Sequence, residues 1–173
     1  LSNTSLQQSY SEYEKVGARV ISWDANNWFS SFTIDKGTSD GITVDMNVIA
    51  DGGLVGIVTE VGPNFATVRS IIDDSSKVSG MTMDSQYNCM VKGSLETYAD
   101  GKLILEEILE NSEIKEGDKI VTSNVSSKYL PGILIGYATD IKVDANTLTQ
   151  SGYLIPAAGF DSLREVLIIT QTK

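Results

Sequence analysis

A chain of 173 residues that is 41% apolar can bury a sizeable core and is too apolar to stay disordered. Its formal net charge of −10 runs against the basic face that nucleic-acid and anionic-lipid binders need, so no nucleic acid is expected as a partner. Histidine is absent, which removes the commonest general base and the commonest metal ligand together.

Residues 1–16 are polar and free of Pro and Gly. Leu6, Tyr10 and Tyr13 follow one another at alternating steps of four and three residues, the spacing of a narrow coiled-coil seam. The pattern predicts a helix that Gly17 ends, with those three side chains as the self-association seam. It makes sense as the end of a longer coiled coil. No basic segment followed by an apolar run opens the chain, and no stretch approaches the roughly 18 apolar residues of a membrane span. Any anchoring segment is therefore expected upstream of Leu1.

From Arg19 onward short β-rich runs alternate with turn residues such as Asp35-Lys36-Gly37, Asp51-Gly52-Gly53 and Glu116-Gly117-Asp118. Many short strands at this spacing predict a sandwich or barrel rather than alternating strands and helices. The segment 99–106 reads as a hairpin turning at Asp100-Gly101. Two stretches repeat: Ile42–Val61 aligns with Ile114–Ile141, matching Ile42 to Ile114, Val48-Ile49 to Ile120-Val121, and Gly56 to Gly136. Each copy reads as strand, loop, strand, with a Gly inside the second strand, as a bulge or close backbone approach requires. The second copy carries a longer loop, 123–132.

The predicted architecture is all-β: two small barrels preceded by a short helix. The helix would occupy 1–17, the first barrel 18–84 and the second 85–173. The last strand, 165–170, could cross back to the first barrel. This layout matches the chymotrypsin architecture, but without histidine no Ser-His-Asp or Cys-His site can be built, so no catalytic residue is assigned.

The remaining candidates are weak. Ser112 and Lys115 have the S-x-x-K spacing of a serine–lysine dyad, yet its partner motifs S-D-N and K-T-G are missing. The pairs Asp73-Asp74 and Glu106-Glu107 would point to opposite faces of an extended chain. There is no calcium-loop or phosphate-loop pattern, so no metal and no cofactor is expected. Cys89, the lone cysteine, can form no intrachain disulfide and is expected as a small buried hydrophobe. Trp23, Trp28 and Phe29 flank the polar turn at 24–27, and Tyr129, Leu130 and Pro131 sit in the longer inter-strand loop. Loop aromatics either pin a barrel end or meet a partner. Tyr129, Leu130 and Pro131 are the candidate partner contact.

The stretch 18–73 resembles the extracytoplasmic region of the MreC family of bacterial rod shape-determining proteins. The resemblance rests on Trp28 with the following Phe-x-x-Phe-Thr-Ile-Asp-Lys-Gly, Gly41-Ile42, Met46-x-Val48-Ile49 and Gly53-Leu54-Val55-Gly56-x-Val58. The second half agrees at Gly117-Asp118, Val121-Thr122-Ser123, Pro131-Gly132, Ile135-Gly136 and Pro156-Ala157-Ala158, then Leu163-x-x-Val166. One departure is Asn124, where the family usually has Gly. The resemblance implies a membrane anchor and coiled coil before Leu1, and two β-barrels on the extracytoplasmic face of the bacterial membrane. It implies dimers or larger assemblies, and as partners MreD, the MreB system, a transpeptidase penicillin-binding protein and RodA. The function it implies is a non-catalytic scaffold that organises peptidoglycan elongation and maintains rod shape. On the residues alone, a coiled coil followed by β-barrels also describes a periplasmic adaptor subunit of a membrane transporter.

Overall fold

The computed structural model describes residues 13–24, 30–108, 112–147 and 149–173. Twelve strands dominate it: β1 (Lys15–Trp23), β2 (Ser31–Ile34), β3 (Asn47–Ala50), β4 (Gly53–Val61), β5 (Ala66–Ser70), β6 (Lys77–Thr82), β7 (Asn88–Lys92), β8 (Leu103–Ile108), β9 (Lys119–Thr122), β10 (Leu134–Val143), β11 (Gln150–Pro156) and β12 (Glu165–Ile169). A single helical turn, α1 (Leu95–Tyr98), joins β7 to β8. The strands close into two antiparallel barrels, in the orders β1-β12-β3-β4-β5-β2 and β10-β11-β8-β7-β6-β9. Inward apolar residues alternate with outward ones: β5 buries Ala66, Val68 and Ser70 and leaves Thr67 and Arg69 half-buried. Closure leaves neither sheet an open edge.

The internal repeat survives in atomic detail. Gly56 faces Val48 across the β3–β4 pair, and Gly136 faces Ile120 across β9–β10, with an irregularity beside each. Both glycines sit where the neighbouring strand crowds the backbone. A Cβ on Gly56 would lie 2.1 Å from the Arg69 carbonyl oxygen of β5, and one on Gly136 2.1 Å from the Ile155 carbonyl oxygen of β11. Such a position admits only glycine. The cyclic strand orders match as well, β12 standing to β3 and β1 as β6 stands to β9 and β7.

Three sequence expectations need correction. The helix expected over 1–17 falls mostly outside the described residues, Leu6 and Tyr10 included, but Lys15–Gly17 already belong to β1 and pair with β12. Their reach toward Ile169 wins over local helical spacing. The boundary expected at 84/85 lies earlier: β6 pairs with β7 and β9, so the second barrel begins at Lys77. The first barrel is completed by β12, the strand whose destination the sequence left open. Finally, Asp100-Gly101 is not the tip of a two-residue hairpin. Gly101, at φ 76, follows α1 and donates to the Tyr98 carbonyl, so a helical turn intervenes. By contrast Asp51 (φ 54) and Gly52 (φ 78) form the tight left-handed turn that connects β3 to β4.

Candidate functional site

Catalytic candidates are dispersed into structural roles. Ser112 is buried and Lys115 exposed, and the Lys115 amide donates to Asp118 in a turn. Asp73 accepts from the hydroxyls of Ser30 and Ser75, while Asp74 accepts from the Leu95 amide at 2.9 Å. The acidic pair therefore ties the inter-barrel linker to the first barrel on one side and to α1 on the other. Burial by itself would raise the Asp73 carboxyl, but the Ser30 and Ser75 hydrogen bonds outweigh it and hold the pKa below its ordinary value. Glu106 lies 3.9 Å from Lys77 on the outer face of the second barrel, and Glu107 is exposed. Among the described residues no group of three or more Cys, Asp or Glu side chains is placed to hold a metal.

The polar chemistry that does converge lies between the barrels. The long β9–β10 loop reaches from the second barrel to the first. Asn47 of β3, 0% exposed, accepts from the Leu130 amide at 2.8 Å and donates to the Lys128 carbonyl at 3.1 Å. Thr122 braces the loop from its own barrel, donating to the Leu130 carbonyl at 2.6 Å and accepting from the Ile133 amide at 2.8 Å. Ser126 accepts from the Tyr129 amide at 3.1 Å. Lys128 stands 3.9 Å from Asp45 of the first barrel. The loop is longer than its counterpart, the Asp51-Gly52 turn, because it spans this junction.

This placement decides the loop candidates. Tyr129 and Leu130 are each 4% exposed, so they pin the barrels together and present no surface to a partner; Pro131 is half-buried. Tyr129 lies against Arg69 and Ser76 of the first barrel and the linker. Tyr13, assigned to the seam, is half-buried against the barrel core. Trp23 packs at a tilt of 51° on Phe32, ring centroids 4.8 Å apart, as a pin would; Trp28 and Phe29 lie outside the described residues. A second crossing comes from Tyr98 of α1, edge-on to Phe160 at 5.8 Å in the segment leading to β12. Asn47 was overlooked in the sequence. Its signal was a lone amide heading the otherwise apolar run Asn-Val-Ile-Ala.

Burial pushes both the Cys89 thiol and the Tyr129 phenol up to about 12, the Arg69 charge opposing part of the latter effect. The folded chain therefore keeps protons that the unfolded chain releases. This stabilisation is complete below about pH 9 and falls as pH rises toward 12, by up to ~1.4 kcal/mol per pH unit per group. The urea midpoint should accordingly drop between pH 8 and pH 11, and Cys89 should resist thiol reagents until urea unfolds the chain. An unchanged midpoint at pH 11 would show that neither group is buried as described.

Residues 20–170 match the family model described as rod shape-determining protein MreC, barrel core. The cell shape-determining protein MreC of Listeria monocytogenes is 32% identical over 171 residues, covering 96% of this chain and 57% of that protein. A solved structure of Listeria monocytogenes MreC superposes with a TM-score of 0.81 at 30% identity, covering 99% of this chain and 86% of the other. The structure of a complex between penicillin-binding protein 2 and MreC from Helicobacter pylori shares the fold, with a TM-score of 0.66 at 13% identity over 91% of this chain and 100% of the matched one. The chain spans 57 to 59% of the length of the Listeria and Bacillus subtilis relatives it matches.

Proposed function

The chain belongs to the MreC family of rod shape-determining proteins, and from that premise we propose that it is a non-catalytic extracytoplasmic scaffold of peptidoglycan elongation that maintains rod shape. The observation that carries this reading is the coincidence of family and architecture. The match runs through both barrels, and the buried polar groups of the junction serve to hold those barrels in one arrangement. A rigid two-barrel body offers fixed outer faces to partners, whereas an enzyme would direct such groups into a cleft.

The partner best supported is a penicillin-binding protein, the kind of protein in complex with the Helicobacter pylori neighbour, and the proposal takes it to be a transpeptidase. MreD, the MreB system and RodA belong to the same proposal, with an anchor upstream of Leu1 placing the barrels outside the cytoplasmic membrane. Self-association through Leu6 and Tyr10 is part of it too. Leu6→Asp with Tyr10→Asp should lower the sedimentation coefficient of the chain, and equal sedimentation of the variant and the parent would remove the seam. Capture from bacterial membranes, with the intact barrels as bait, tests the proposal. Recovery of a transpeptidase supports the scaffold; recovery of a transporter pump in its place supports a periplasmic adaptor and overturns it.

A further inference from the structure

The first barrel is closed, but its last seam is short. β12 pairs with β1 all the way from Lys15 with Ile169 to Arg19 with Glu165. With β3 it pairs only at Ile168 with Val48 and at Leu167 with Ile49. The next positions in that antiparallel register are Val166 with Ala50 and Glu165 with Asp51, and the ladder stops before them. The strands part there because Ala50 is drawn toward Gly53 by the tight turn at Asp51-Gly52, while β12 stays bound to β1 as far as Glu165.

A cleft of about 590 Å³ lies at this fork, a size that holds a small ligand or a few residues of peptide. Ala50 and Asp51 line it from β3 and the turn, Glu165 and Val166 from β12, and Gly17 from β1. Gly17 is exposed and leaves room there, since an added Cβ would meet only Leu167, at 4.0 Å. Leu167, 42% exposed, supplies an apolar contact. The charged groups of the cleft are Asp35, Asp51 and Glu165 against Arg19 and Lys36, an excess of one negative charge on a chain of net charge −10. Asp35 accepts from the Arg19 amide at 2.8 Å, and Asp51 and Glu165 are exposed. None of the ion pairs among the described residues involves any of these five groups.

We propose that the fork binds a short extended segment of a partner protein, with basic and apolar residues in alternation, which continues the interrupted ladder. Where a sheet leaves strand positions unpaired, an extended segment is held through its backbone and selected through its alternate side chains. Alternation puts the apolar side chains of such a segment on one face, against Leu167 and the space at Gly17. It puts the basic ones on the other, within reach of Asp51 and Glu165 at the rim. An acidic segment would meet the excess negative charge of the cleft and of the whole chain. The inference goes beyond the scaffold reading by giving the form that one partner contact takes. A peptide tests the cleft by itself, whereas capture from membranes tests the scaffold.

The probe is the peptide acetyl-Lys-Val-Lys-Val-Lys-amide, titrated into the whole chain and followed by heteronuclear NMR. It should bind saturably, with a dissociation constant below about 1 mM, and shift the amide signals of Ala50 and Val166. Two N-methylated forms, one at the valines and one at the lysines, remove the donors from one edge of the extended peptide or from the other. At least one of them should bind about 30-fold more weakly, the effect of two lost hydrogen bonds. The glutamate counterpart, acetyl-Glu-Val-Glu-Val-Glu-amide, should bind at least 10-fold more weakly than the lysine peptide, about the effect of one lost charge-assisted contact. Gly17→Leu fills the cleft from a position with room for a side chain, so it should fold like the parent by circular dichroism and lose the shifts. Should that variant not fold, the peptide series on the parent decides. No saturable binding by the parent, undiminished binding of both N-methylated forms, equal binding of the glutamate peptide, or full binding by folded Gly17→Leu would each overturn the proposal. Continued capture of a transpeptidase in those cases would leave the scaffold reading standing.

Discussion

Gly136→Ala should destabilise the second barrel by roughly 3 kcal/mol or more, and Gly56→Ala should do the same to the first. The added methyl would sit 2.1 Å from a carbonyl oxygen in each case, against Ile155 in β11 and Arg69 in β5. Flexible side chains can swing away from a new atom, but these oxygens belong to paired strands inside closed barrels. Relief would need the adjacent strand to move and its ladder bonds to break. Gly101→Ala is the informative control, because nothing lies within 4 Å of its Cβ position and only its φ of 76 opposes the change. It should cost about 1 kcal/mol. Urea unfolding of the three variants measures the order. Equal losses at Gly136 and Gly101 would mean that the neighbouring strand yields to the added methyl and that crowding did not select Gly136.

Asn47→Ala should loosen the two barrels from one another. It removes the acceptor for the Leu130 amide and the donor for the Lys128 carbonyl, and leaves a buried N–H without a partner. The expected loss is about 2 kcal/mol. The effect should concentrate in the β9–β10 loop, where Lys128 is exposed and Tyr129 is held beneath it. Trypsin should cut after Lys128 about 30-fold faster in the variant, the local opening that ~2 kcal/mol permits. Small-angle scattering should show a wider spread of dimensions with both barrels still folded. Unchanged cleavage would place the strength of the junction elsewhere, in Tyr98 and Phe160 or in the linker at Asp73.

Local and repeated features were legible from the residues. The pairing of Gly56 with Gly136 could be read because a strand interrupted by glycine at matching positions reports a shared backbone need. The Asp51-Gly52 turn could be read because few residues tolerate two successive positive φ values. What escaped was membership and burial. The alternation in Lys77–Thr82 is the same whichever barrel it joins, and only its pairing with β9, some 40 residues on, decides. Tyr129 and Leu130 looked like contacts because loop aromatics often are. Their burial depends on Asn47, 83 residues before Leu130, which no local pattern connects to them. The fork between β3 and β12 was likewise hidden, since its two sides come from opposite ends of the chain.

Binding of the folded chain to the purified extracytoplasmic region of an elongation transpeptidase measures the central claim most directly. Calorimetry should show saturable association, micromolar or tighter, for the parent and for Ser112→Ala alike, as the proposed scaffold role requires. Absence of binding by the folded parent, or binding that depends on Ser112, would contradict the account.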